Sequence, residues 1–135
     1  MELTKQKPSQ LAPLTLAYIG DGVYELFVRT RIIEKNENMP AQKLHKKAIQ
    51  YVKAQAQSQS MGALMPILTE EEEAVFRRGR NAKSHTVPKN ADLMDYKRAT
   101  GFEALIGYLY LSGQNERLAE LMNTAYENAL NNCLS

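Results

Sequence analysis

The sequence is poor in features on which several classes of protein depend. It has a single cysteine, Cys133, near the end of its 135 residues. This excludes an internal disulfide and a cysteine-based zinc cluster, and it suits a reducing compartment. No apolar run is long enough to cross a bilayer, and the first ten residues form no apolar signal segment. These absences predict a soluble, cytoplasmic protein.

Several catalytic motifs are also missing. There is no glycine-rich phosphate-binding loop after a strand, no HExxH metal-binding pair and no GxSxG nucleophile turn. The sequence therefore does not support a nucleotide hydrolase, a zinc protease or a serine hydrolase. The formal net charge is only +2, so any binding of nucleic acid must depend on where the cations lie rather than on their excess.

The pattern that is present predicts one all-α domain over residues 1–135, with an N-terminal arm at residues 1–10. Hydrophobic residues make up 44% and charged residues 24% of the chain, as in an ordinary globular domain. Helical periodicity covers residues 14–33, 40–61, 69–78, 92–111 and 115–129. The second of these segments is either one helix or two helices with a break between Val52 and Ser58.

The first long helix carries an acid between two glycines. Asp21 has no cation three or four residues away, and its neighbour Glu25 has the same charge. Gly20 and Gly22 each cost roughly 1 kcal/mol relative to alanine, so they predict close backbone packing or the close approach of a ligand. The predicted apolar face consists of Leu16, Ile19, Val23, Leu26 and Ile33. Asp21 is either an acid with a tertiary or metal partner, or an exposed acid at a helix kink.

The second apolar helix, residues 93–111, repeats this feature. Glu103 also has no cation three or four residues away, so both helices are expected to bury an unpaired acid. The predicted core residues of this helix are Ala99, Phe102, Ile106 and Leu109. If the two helices pack side by side, Asp21 and Glu103 meet and form a site for Mg²⁺ or Mn²⁺, which prefer oxygen ligands.

Cations are concentrated in two places. Thr69 and Glu72 predict a capping box, and the helix that follows is expected to end before Gly79. After it comes a predicted loop with cations and small polar side chains, a composition that suits phosphate and sugar contacts but also plain solvent exposure. Lys43, Lys47 and Lys53 form a basic stripe on the second helical segment, which is either a solvated face or a weaker polyanion site.

Three segments resemble a known family. LAYIGDGVYEL and TGFEALIGYLYL resemble the two catalytic helices of the ribonuclease III family. RRGRNAKS, which follows TEEEEAVF, is similar to the compact Mini-ribonuclease III branch, which lacks a double-stranded-RNA-binding domain. The resemblance runs in the same order over residues 11–121.

The resemblance implies a helical endonuclease that acts as a homodimer, depends on Mg²⁺ and cleaves double-stranded RNA. It further implies a role in maturing large-subunit (23S) ribosomal RNA, with a large-subunit ribosomal protein as a further partner. Asp21 and Glu103 become the catalytic, metal-binding acids. Longer members carry additional acids where this chain has Leu14, Ala17 and Thr100, so we expect more metal-bound water, with Thr100 orienting a water. The predicted RNA-binding residues are Arg77, Arg78, Arg80, Asn81, Lys83, Ser84, His85 and Lys89.

Two other functions remain open at this stage. A non-catalytic RNA-binding or ribosome-associated protein could keep this fold for its basic loop alone, but it would not need Asp21 and Glu103. A helical interaction protein without an RNA role would pair these acids with arginines across the core. Such a protein would not bind metal at the acids, so a metal-binding titration distinguishes it from the nuclease.

Overall fold

The computed structural model describes residues 6–83, 89 and 92–134. Within this part the structure is helical and contains no strand, which confirms the predicted all-α class. None of the described helices is long and apolar enough to span a membrane. Short 3-10 turns occupy Pro8–Gln10 and Met65–Ile67. The helices are α1 (Pro13–Lys35), α2 (Ala41–Val52), α3 (Ala54–Leu64), α4 (Glu70–Asn81), α5 (Leu93–Leu111) and α6 (Asn115–Leu134).

Helices α1 and α5 pack along each other, and glycines on both allow their backbones to touch. A Cβ atom added to Gly20 would lie 1.8 Å from the carbonyl oxygen of Glu103. One added to Gly107 would lie 2.0 Å from the carbonyl oxygen of Leu16. Close packing therefore explains Gly20, whereas a Cβ on Gly22 would have nothing within 4 Å.

This contact determines which side of α1 is buried. The buried residues recur every four positions and are Leu16, Gly20, Tyr24, Val28 and Ile32, together with Ala17. The predicted apolar face is partly wrong, because Leu26 and Ile33 are 68% and 50% exposed. Apolar residues lie on several sides of α1, so their spacing alone does not identify the side that the glycine contact turns towards α5.

Helix α4 packs on α5 through a second glycine contact. The predicted capping box is present: the Thr69 hydroxyl accepts from the Glu72 N–H at 3.1 Å, and the Glu72 carboxylate accepts from the Thr69 N–H at 2.9 Å. The predicted end before Gly79 is wrong, because α4 continues to Asn81. Gly79 is buried, and an added Cβ would lie 2.9 Å from the Cα of Gly101. This glycine serves helix packing and does not stop the helix.

The remaining helices surround the α1–α5 pair. The question of one helix or two after Pro40 is answered by Lys53, whose extended backbone (φ −64°, ψ 153°) separates α2 from α3. Asp92 caps α5 by accepting from the Asp95 N–H at 3.0 Å. The predicted core residues of α5, Ala99, Phe102, Ile106 and Leu109, are all buried.

Candidate active site

The glycine contact between α1 and α5 brings Asp21 to Glu103. Gly20 packs on the main chain of Glu103 itself, and Asp21 is the next residue of α1. The charge of Asp21 acts on the Glu103 carboxyl group, which places the two side chains close to each other. The two acids that the sequence singles out are therefore neighbours in the fold.

The two carboxyl groups have different surroundings. Burial raises the pKa of Glu103 to about 8, and the charges of Asp21 and Glu25 add to this rise. Asp21, in contrast, is exposed and Glu103 is partly buried, so the prediction that both acids are buried is wrong for Asp21 and only partly right for Glu103. Successive residues of an α-helix are about 100° apart around its axis. With Gly20 against α5, Asp21 consequently lies at the edge of the interface.

Neither acid forms an ion pair within the part of the chain that the structure describes. Glu25 pairs with Arg29 at 2.8 Å, as its spacing predicts. Glu72 illustrates a buried acid that has a cationic partner. Hydrogen bonding to Arg117, 2.8 Å away, lowers the pKa of its carboxyl group. The pKa of Glu103 shifts in the opposite direction because burial is not offset by a cation and its charged neighbours are acids. The arrangement thus lacks the arginine partners that a purely structural acid would have.

This pair fits a divalent cation of the Mg²⁺ type. Among the described residues no three His, Cys, Asp or Glu side chains form a cluster that could hold a metal, so the protein ligands there would be Asp21 and Glu103. Mg²⁺ typically keeps several waters and binds through one or two carboxylates together with substrate phosphates. A cation between the acids would also remove the repulsion that favours protonated Glu103.

Thr100 lies one turn before Glu103 on α5. Its hydroxyl donates to the carbonyl oxygen of Tyr96 at 2.9 Å, so the hydroxyl proton is used within the helix. A water near this residue would have to donate to the hydroxyl oxygen, because the threonine cannot at the same time donate to it. Thr100 can therefore orient a water only as a hydrogen-bond acceptor.

Arg77 and Arg78 lie in the last turns of α4, as predicted, whereas Arg80 and Asn81 also belong to this helix and not to the predicted loop. Arg77, Arg78 and Asn81, with Pro13 and Ala74, line one open depression. Arg77 also pairs with Glu73 at 2.6 Å. This grouping places cationic and amide side chains together between α4 and the start of α1.

The other candidate cations have fewer contacts. The Arg80 guanidinium lies 5.7 Å from the centre of the Phe76 ring and donates to the Asn81 side chain at 3.2 Å. Lys83 and Lys89 are exposed, as are the α2 lysines Lys43 and Lys47 and the linking Lys53. Ser84 and His85 lie outside the described residues.

Two features of the fold were not found from the sequence. The first is Gln57 of α3, whose buried side chain acts on Glu103. Gln55, Gln57 and Gln59 look alike in the sequence, and only burial separates the middle one. The second is an exposed apolar stripe on α1, Leu14, Tyr18 and Leu26, which the spacing of four and eight residues could have indicated.

Comparisons of the sequence identify relatives of this chain. A sequence model of the ribonuclease III domain matches residues 14–114. A protein of Clostridium tetani called Mini-ribonuclease 3 is 58% identical over 121 residues, which cover 90% of this chain and 80% of that protein. A Mini-ribonuclease 3 of Brevibacillus brevis is 53% identical over 125 residues, covering 93% of this chain and 92% of that protein.

A solved structure extends the comparison to three dimensions. The crystal structure of a protein from Fusobacterium nucleatum superposes with a TM-score of 0.78 at 30% sequence identity. The match covers 87% of this chain and 93% of that chain. The helical arrangement described above is therefore shared with an experimentally determined structure.

Proposed function

This chain belongs to the ribonuclease III family of endoribonucleases, and we propose that it cleaves double-stranded RNA with Mg²⁺ as its cofactor. Members of the family act on double-stranded RNA and generally depend on divalent metal ions. We further propose that it acts in the cytoplasm, in the maturation of large-subunit (23S) ribosomal RNA, with a large-subunit ribosomal protein as a candidate partner.

The observation that carries the proposal is the facing pair of Asp21 and Glu103 without a cation. Keeping two acids together raises the free energy of the folded chain, because burial and the Asp21 charge both disfavour ionised Glu103. A protein that used this fold only to bind RNA would gain nothing from this arrangement. A hydrolase that must hold Mg²⁺ at the scissile phosphate requires it.

Each acid has a distinct part in the proposed site. Exposed Asp21 is open to the approach of RNA, whereas Glu103 is partly buried at the interface of α1 and α5. Bound Mg²⁺ supplies Lewis-acid chemistry, which activates water and stabilises negative charge on the phosphate. With Leu14, Ala17 and Thr100 where longer relatives carry acids, the remaining positions around the ion fall to water and RNA oxygens.

Incubating the protein with a long RNA duplex tests this function. We expect cleavage of the duplex in Mg²⁺ or Mn²⁺ and none in EDTA, with single-stranded RNA of the same sequence as the control substrate. Binding of the duplex without cleavage under all metal conditions would instead favour the non-catalytic RNA-binding alternative.

Salt dependence tests the proposed RNA-binding residues. We expect Arg80→Ala and Lys83→Ala each to reduce the slope of log affinity against log salt concentration by about 1, because each removes one phosphate contact. Sequence preference should not change, since A-form RNA is recognised mainly by shape. Fluorescence anisotropy with a labelled duplex measures both quantities.

The matched control is Lys35→Ala, which removes an exposed cation in the last turn of α1. It should leave the slope within experimental error. If Arg80→Ala and Lys83→Ala behave like this control, these cations are solvated and do not contact RNA.

The exposed apolar stripe of α1 supports a homodimer. Leu14, Tyr18 and Leu26 are 40%, 83% and 68% exposed, and Gly22 between them leaves room for a close neighbour. A single centre cannot cut both strands in register, whereas two copies related by a two-fold axis match the symmetry of the duplex. We propose that the stripe packs on its own copy across this axis.

Sedimentation tests the dimer. The wild-type chain should sediment as a dimer at micromolar concentration, and Leu26→Glu should shift it to a monomer because two buried carboxylates would face each other across the axis. Ile67→Glu is the control, since Ile67 is an exposed apolar residue away from α1 (42% exposed). A wild-type monomer that still makes double-strand cuts would exclude the dimer.

A further inference from the structure

Helix α3 buries polar side chains beneath the proposed active site. Gln57 and Ser60 are 2% and 1% exposed. Ser60 is satisfied, because its hydroxyl donates to the carbonyl oxygen of Ala125 at 3.1 Å. Burying an amide without a hydrogen bond lowers stability, so Gln57 requires a partner or a functional reason.

The amide nitrogen of Gln57 has no hydrogen-bond partner among the described residues. The Gln57 side chain lies beside the carboxyl group of Glu103, close enough for the two side chains to interact. The two side chains are thus neighbours, but their geometry is not that of an ordinary hydrogen bond. Catalytic hydrogen bonds are often long in the free enzyme and tighten when the complex forms.

A neutral donor is the appropriate group at this position. A lysine or arginine would form an ion pair with Glu103 and repel a divalent cation. A glutamine amide can hold one carboxylate oxygen and leave the negative charge available to a metal, as the outer hydrogen-bond partners of metal ligands do.

We propose that Gln57 is a positioning residue, which donates its amide N–H to one carboxylate oxygen of Glu103 and orients the other oxygen towards the metal site. The inference rests on the proposed function, since it gives Gln57 a role only if Glu103 holds the metal.

Gln57→Met is the decisive variant, because methionine retains length and helix propensity but cannot donate. Calorimetric titration of the RNA-free protein with Mn²⁺ should show affinity about 10- to 100-fold below wild type. At saturating RNA and fixed Mg²⁺, kcat should fall by a similar factor while KM for the duplex stays constant. The control, Gln55→Met, changes an exposed glutamine on the same helix and should match wild type in all three measurements.

A double substitution tests whether Gln57 affects Mn²⁺ affinity through Glu103. In the Glu103→Gln background, Gln57→Met should cause no further loss of Mn²⁺ affinity, because the carboxylate that it positions is absent. An additive loss in that background would overturn the proposal. So would wild-type Mn²⁺ affinity in a folded Gln57→Met protein. Should this variant fail to fold, Gln57→Leu replaces it, and failure of both to fold would assign Gln57 to the core and also overturn the proposal.

The failure of this inference is distinguishable from the failure of the proposed function. If wild type cleaves the duplex and Glu103→Gln abolishes cleavage, the function stands whatever Gln57→Met does. If wild type neither binds Mn²⁺ nor cleaves, the proposed function itself is refuted and Gln57 has no metal ligand to position.

Discussion

Asp21→Asn and Glu103→Gln should each lower the cleavage rate of duplex RNA by at least about 100-fold while the protein remains folded. Each substitution removes one carboxylate of the proposed metal site and keeps the size of the side chain. Duplex binding should persist, because it depends on cations outside this pair. Single-turnover cleavage and anisotropy at the same Mg²⁺ concentration measure the two effects separately.

The Glu103→Gln variant should be more stable than wild type at high pH, because the pKa of Glu103 in the folded wild-type protein is raised. Because the pKa of folded Glu103 is raised from 4.5 to about 8, the folded chain retains a proton between these pH values that the unfolded chain releases. The stability of wild type without metal should therefore fall as pH rises through this interval. The glutamine variant lacks this loss and should be more stable than wild type by at least about 1 kcal/mol above pH 8, with the difference disappearing near pH 4. Urea denaturation in EDTA measures it.

Glu25→Gln is the matched control for the cleavage measurement. Glu25 lies one turn from Asp21 and pairs with Arg29, so its removal should leave cleavage within a few-fold of wild type. The structural alternative predicts the opposite behaviour for the two acids, since removing a partner of a buried ion pair costs roughly 3–5 kcal/mol. Variants that cleave at wild-type rates, or that lose activity only by unfolding, would refute the catalytic assignment.

Gly20→Ala should destabilise the protein by about 3 kcal/mol or more. Its Cβ would lie 1.8 Å from the carbonyl oxygen of Glu103. Because both atoms belong to the backbone or are fixed to it, only a movement of α1 away from α5 can relieve this overlap. The same movement would displace Asp21 from Glu103, so any folded fraction should also have reduced kcat. Urea denaturation and cleavage at a temperature where the variant is folded measure both effects.

Gly62→Ala provides the comparison. Gly62 lies in α3, and an added Cβ there would meet nothing within 4 Å, so alanine should stabilise the helix by up to about 1 kcal/mol. It is preferable to Gly22, which is equally open but lies on the proposed dimer stripe. Equal behaviour of Gly20→Ala and Gly62→Ala would show that the α1–α5 contact tolerates separation.

The sequence by itself determined the features that depend on local interactions. Thr69 and Asp92 mark the starts of α4 and α5, because their side chains accept from N–H groups within the next turn. The end of α5 at Leu111 follows from Ser112 and Gly113, whose φ of 71° favours glycine. The absence of cations near Asp21 and Glu103 along their own helices was also readable, since residues three and four positions apart are neighbours on a helix.

The tertiary structure alone decided how these local pieces face one another. Apolar residues on several sides of α1 allow more than one buried face, and the backbone contact at Gly20 selects the one that leaves Leu26 exposed. The same contact leaves Asp21 at the rim and Glu103 within the interface. Gly79 has the sequence context of a helix end, yet it is buried against α5. Burial likewise distinguishes Gln57 from Gln55. These outcomes depend on contacts between residues distant in the chain, which helical periodicity does not encode.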